Sequence, residues 1–145
     1  MPSSPAFSDA GGLIARFLTN VRSGRSPEHA SIYLAPLVTA HQLISESRES
    51  IDRTPAQYAE HIRDLDATWG PFTIEVEELL VDGDKVYARW TQHGHDRRAD
   101  PPQTIRQITS AVYRVRDNLI VEYWIQIDRL GIELQRQASI SHEPF

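Results

Sequence analysis

Apolar positions change their period midway along the chain. Leu13, Ile14, Phe17, Leu18 and Val21 fall on one stripe at helical spacing and predict a first amphipathic helix ending near Ser23 and Gly24. Ser26 before Pro27 forms an N-cap and N1 pair, which predicts a short helical segment through Leu34, stopped by Pro36. The run "LVTAHQLI", Leu37 to Ile44, suits a strand, and a polar connection follows it. Thr54, Pro55 and Gln57 supply a cap, a proline at N1 and a capping-box partner at N3. Tyr58, Ile62, Leu65 and Trp69 then mark one face of a helix that ends at Gly70 and Pro71.

From Phe72 onward the period is two. Ile74 and Val76 alternate with charge, and the step breaks at Glu77 and Glu78, which predicts a bulge. "VDGDKV" turns the chain into a long strand from Lys85 to about His93. A loop with Pro101 and Pro102 leads to a strand from Thr104 to Arg116, and Asp117-Asn118 turns it into a last one, "LIVEYWIQI". Helices first and a meander of long strands afterwards, with no βαβ alternation, predict an α+β fold with helices packed on one face of an antiparallel sheet.

The last hairpin carries the most specific expectation. If Asp117-Asn118 is a two-residue turn, Trp124 opposes Ala111, Gln126 opposes Thr109 and Asp128 opposes Gln107. Gln107, Thr109, Ala111, Trp124, Gln126 and Asp128 would then form one mixed apolar and polar patch, as a cavity wall requires. The opposite side, Ile108, Ser110, Val112, Tyr123, Ile125 and Ile127, would need a cover of helices or a second subunit.

Composition narrows the field. The 145 residues predict a single domain with an ordered core over about residues 9–137, and no linker divides them. The absence of cysteine removes disulfides, thiolate nucleophiles and zinc–thiolate sites. Twenty acidic against fifteen basic residues, a net charge of −5 and no basic stripe argue against nucleic acid or an anionic membrane as partner. No signal-like or membrane-length apolar run is present, which predicts a soluble cytoplasmic protein. Nucleotide loops (GxxxxGK, GxGxxG), the GxSxG elbow and the HExxH zinc motif are all missing.

Candidate chemistry centres on Asp128. At the junction of the last strand and "RLGIELQRQ" it reads either as a helix N-cap or as a carboxyl in a cavity, where lost hydration would raise its pKa into a useful range. His41 points inward or lies on the surface, and Trp69 and Trp90 serve as core or as cavity wall. His93, His95 and Asp96 offer metal-ligand spacing, but the flanking glycine, arginines and prolines favour a solvated strand end, with Arg97 and Arg98 on loop surface.

"YLAPLVTAHQ", "VEELLVDGDKVYARWTQHG" and "YRVRDNLIVEYWIQIDRLGIELQRQ" together resemble the SnoaL-like polyketide cyclases and predicted ester cyclases of the nuclear-transport-factor-2-like superfamily, from about Leu13 to Gln137. The resemblance implies a curved antiparallel sheet wrapped by N-terminal helices into a cone, with a ligand cavity inside and often a homodimer on the outer sheet face. It implies cofactor-free acid/base chemistry, such as ring closure or isomerisation of a carbonyl-containing apolar substrate. In that family the aspartate of the closing W-x-x-x-D pattern is the principal acid/base, and it falls on Asp128. The assisting amide and histidine of the cyclases fall on Thr109 and Ala111, so this chain departs from the cyclase set, and Gln107, Gln126 and His41 are the facing replacements. Asp128 as catalytic residue, with His41, Trp69, Trp90, Gln107, Thr109, Trp124 and Gln126 as substrate-binding residues, is the site expected, with no metal and no cofactor. A non-catalytic ligand-binding or assembly module is the alternative, with Asp128 as a cap.

Overall fold

A computed structural model describes the backbone of residues 5–140 and the side chains of residues 10–138. Helix α1, Pro5–Phe17, continues into a π-helical turn, Leu18–Arg22, closed by the Ser23 N–H donating to the Leu18 carbonyl at 3.0 Å. A 3-10 turn, Pro27–His29, leads into the short helix α2, Ala30–Tyr33. Ser26 makes no side-chain cap there, and the helix stops at Tyr33, so Pro36 lies inside the first strand rather than ending a helix.

That strand, β1, spans Leu34–Gln42, and the segment expected to be a plain polar connection contains a second strand, β2, Glu49–Arg53. Charged and hydroxyl side chains hid β2, because an edge strand needs no apolar face to pair along one side. Helix α3, Pro55–Trp69, opens with the full capping box: Gln57 N–H donates to Thr54 Oγ1 at 3.2 Å and Thr54 N–H to Gln57 Oε1 at 2.9 Å. Strands β3 (Thr73–Asp82), β4 (Lys85–Asp96), β5 (Gln103–Arg116) and β6 (Leu119–Ile127) follow, then helix α4, Arg129–Ile140.

The six strands form one curved sheet in the order β2-β1-β6-β5-β4-β3. Every pair is antiparallel except β1 beside β6, which is parallel because the chain crosses the helical layer between them. The expected bulge is present: the β3–β4 register shifts between Val76 and Glu78. At the close approach of α3 and β4 a Cβ on Gly94 would sit 2.6 Å from the Trp69 carbonyl oxygen, so glycine is what admits the contact.

The concave face holds the core. Ile14, Phe17, Leu18 and Val21 from the first helix and Tyr58 and Ile62 from α3 pack onto Val86, Ala88 and Trp90 of β4, Ala111 and Tyr113 of β5, and Ile120 and Tyr123 of β6. Each fully buried large side chain contributes roughly 1.5–3 kcal/mol. Phe17 anchors an aromatic cluster, with ring centroids 5.5 Å from Tyr58 and 5.7 Å from Tyr113. Among the described residues no helix is long and apolar enough to cross a membrane.

Candidate functional site

Asp117 and Asn118 form the expected two-residue turn, with φ of 53° and 61°, the left-handed geometry that hairpins of this twist require. Arg116 opposes Leu119 and Val115 opposes Ile120, but the register then shifts, and Arg114 opposes Glu122. Val121 is the extra residue. Beyond it Ala111 opposes Ile125, Ser110 opposes Gln126 and Thr109 opposes Ile127. This corrects the expected patch, because one inserted residue exchanges the faces of everything downstream.

Gln107, Thr109 and Trp90 therefore lie on the concave face, 4%, 0% and 0% exposed, in the company of Ile125 and Ile127. Trp124 and Gln126 lie on the convex face. His41 joins them there: its ring stacks on Trp124 at 5.1 Å with the planes 16° apart. The three border a surface hollow of about 460 Å³, so the expectation that they line the cone is corrected as well.

Asp128 is exposed and follows the last residue of β6. Its Oδ1 accepts from the Gly131 N–H at 2.9 Å, and the Ile132 N–H donates to its carbonyl, so both groups cap α4. A Cβ on Gly131 would run into that carboxylate, and glycine leaves room for it. Asp128 borders a second convex hollow of about 410 Å³ with Gln126, Ile108 and Arg89. Trp69 is half-buried at the end of α3, beneath the Arg98 guanidinium at 5.1 Å.

The strand end is a solvated region with one locked acid. His93 contacts Glu75 at 3.2 Å and His95 the Pro71 carbonyl at 3.0 Å. Asp96 turns inward and accepts from Arg98 at 3.0 Å and Arg136 at 2.9 Å. Burial pushes its carboxyl up, but those two guanidinium bonds outweigh burial and hold it below the ordinary carboxylate value.

The concave face also carries polar groups that the sequence reading missed. Gln92 pairs with Gln107 across β4 and β5, and Trp90 with Thr109. Arg22, 2% exposed, donates from Nη1 to Gln92 Oε1 at 3.1 Å and lies 5.5 Å from the Trp90 ring centroid. No ion pair among the described residues includes it. The signal was available: Arg22 falls four residues after Leu18, one turn along the same apolar stripe, where a surface arginine does not belong. Among the described residues, Trp90 Nε1, Thr109 Oγ1 and Gln103 Oε1 are buried with no hydrogen-bond partner. Gln103 reaches from β5 to α4, its Nε2 donating to the Gln135 carbonyl at 2.9 Å.

His61, on α3 beside Tyr58, is the other group missed. Burial above all, helped by the charges of Arg53 and Arg22, lowers its imidazole to about 4. It is therefore neutral at pH 7. Burial raises the phenols of Tyr58, Tyr113 and Tyr123, which remain protonated donors there. The interior is consequently rich in neutral donors and amides.

The family model for SnoaL-like polyketide cyclases matches residues 12–136, and the chain belongs to that family. No curated protein matches the sequence. Among solved structures, a candidate polyketide cyclase from Acidithiobacillus ferrooxidans is 27% identical, with a TM-score of 0.79, over 95% of this chain and 99% of that one. IdmH, a candidate polyketide cyclase from Streptomyces antibioticus, is 21% identical with a TM-score of 0.74, covering 88% of this chain and 98% of that one. An epoxide hydrolase of the LEH-like type from M. tuberculosis is 16% identical with a TM-score of 0.68, covering 94% and 98%. The last two likenesses concern the fold alone.

Proposed function

We propose that this protein is a cofactor-independent, cyclase-like protein that binds a carbonyl-containing apolar molecule at the α4 end of the concave face. The observation that carries the reading is the set of orphaned polar atoms there, Thr109 Oγ1, Trp90 Nε1 and Gln103 Oε1, beside Gln92, Gln107 and half-buried Ile125 and Ile127. Buried polar groups are ordinarily paired, and those that are not mark a place where water or a ligand completes the set. Indole N–H and hydroxyl donors suit a carbonyl oxygen, and the same donors would stabilise it as negative charge develops on enolisation. Among the described residues, half-buried His61 on α3, whose imidazole is held neutral by burial and by the charges of Arg53 and Arg22, is the proton acceptor of this proposal, whereas Asp128, to which the family resemblance gives that role, is exposed and caps α4.

The test is proton exchange at the α-carbon of an aromatic β-keto ester in heavy water, followed by NMR without added cofactor. The protein should accelerate exchange, Thr109→Val and His61→Phe should reduce it, and Asp128→Asn should leave it unchanged. Loss of exchange in Asp128→Asn would return proton transfer to the family's aspartate. No acceleration and no binding by the wild-type chain would defeat the proposal.

A further inference from the structure

On the convex face three adjacent strands place a serine, a histidine and a carboxylate in one hydrogen-bonded row. His41 of β1 opposes Ser50 of β2 on one side and Trp124 of β6 on the other. Its Nδ1 lies 2.7 Å from Ser50 Oγ, and its Nε2 lies 2.7 Å from Glu122 Oε2. Glu122 is itself fixed, its other oxygen accepting from Arg114 Nη1 at 2.9 Å. The side chains of His41 and Glu122 are only 23% and 22% exposed, and stacking on Trp124 holds the ring plane.

Chemistry follows from the tautomer. A carboxylate can only accept, so in the neutral imidazole the Glu122 contact puts the proton on Nε2 and leaves Nδ1 as a lone-pair acceptor. Ser50 Oγ–H then donates to Nδ1, which is the arrangement of an activated hydroxyl nucleophile with an oriented base. Two features separate it from an ordinary cross-strand contact. Ser50 is exposed, and the row opens onto the hollow of about 460 Å³, whose wall is apolar at Leu43 and Ile44 and polar at Gln126 and Arg48.

We propose that Ser50, His41 and Glu122 form a second, esterase-type site that cleaves small acyl esters. Ser50 Oγ attacks the ester carbonyl carbon while its proton passes to His41 Nδ1. The carbonyl oxygen becomes an oxyanion within the hollow that carries the Gln126 amide and the Arg48 guanidinium. The ester C–O bond breaks, and the alcohol leaves with the proton held on Nδ1, giving acyl-Ser50. Water then attacks the acyl carbon, giving its proton to Nδ1, and breaking the bond to Oγ releases the acid and restores the Ser50 hydroxyl. The net reaction is ester plus water to acid plus alcohol, with no other reactant. Glu122 holds the tautomer and faces the imidazolium that forms, so it is a positioning residue.

The experiment combines active-site labelling with turnover on the full chain. A fluorophosphonate probe should form one covalent adduct, mapped by peptide mass spectrometry to Ser50, and hydrolysis of p-nitrophenyl butyrate should exceed the buffer rate. Ser50→Ala and His41→Gln should lower that hydrolysis by about 10²–10⁴-fold. Glu122→Gln should lower it less and move its pH profile. Ser50→Ala removes a single surface hydroxyl, so loss of rate with an unchanged melting temperature separates chemistry from folding. An adduct on another residue, no adduct at all, or undiminished hydrolysis in Ser50→Ala would overturn the proposal.

Discussion

Asp128 Oδ1 and the Gly131 N–H lie 2.9 Å apart, joining the end of the last strand to the first turn of α4. That bond satisfies a donor that the helix itself leaves unpaired, and replacing such a cap with alanine costs about 0.5–2 kcal/mol. Asp128→Ala should therefore lower stability by that amount in urea titrations. Asp128→Asn, an equally good cap, should stay within a few tenths of a kcal/mol. Equal losses from the two substitutions would show that the cap bond is not what holds the junction.

His61 makes stability depend on pH. Its folded imidazole is lowered to about 4 from 6.5, so between these values the unfolded chain binds more protons than the folded one. Its contribution is complete above pH 6.5 and is lost as the pH falls toward 4. The full effect is at most roughly 3 kcal/mol. The difference in unfolding free energy between wild type and His61→Phe should shrink or reverse over that window as pH is lowered. A pH-independent difference would mean that the imidazole titrates normally.

Arg22 and Gln92 should respond asymmetrically to substitution. Gln92→Leu leaves a buried guanidinium without its hydrogen-bond acceptor, which should cost about 1.5–3 kcal/mol. Arg22→Met removes the charge together with its desolvation cost but leaves the buried Gln92 Oε1 without its donor, so its loss should be the smaller of the two. Chemical denaturation of the two variants measures this directly. A larger loss in Arg22→Met than in Gln92→Leu would mean that the stack on Trp90 and Phe72 outweighs the burial of the charge.

Most of the elements were legible from neighbouring residues. The Thr54 capping box, the bulge at Glu77 and Glu78, and the Asp117-Asn118 turn each depend on a few consecutive side chains and their backbone, and each is present in the fold. Strand β1 was legible in "LVTAHQLI", whereas its edge partner β2 was not. Glu49, Ser50 and Asp52 have loop-like chemistry, and β2 exists because β1 offers it a pairing edge. Arg22 continues the Leu18 stripe by one turn, but a charged side chain does not register in a pattern of apolar positions.

Taken alone, the sequence determined the α+β order, the family and the identity of the polar residues on the long strands, because periodicity, caps and turns are local properties of the chain. Tertiary structure decided which of those residues share a face. A single extra residue at Val121 carries Trp124 and Gln126 to the convex side with His41 and leaves Gln107 and Thr109 inside. A strand's side chains repeat every two residues, so one residue of slippage set by long-range pairing inverts the face, and no break in the local pattern marks it at Val121.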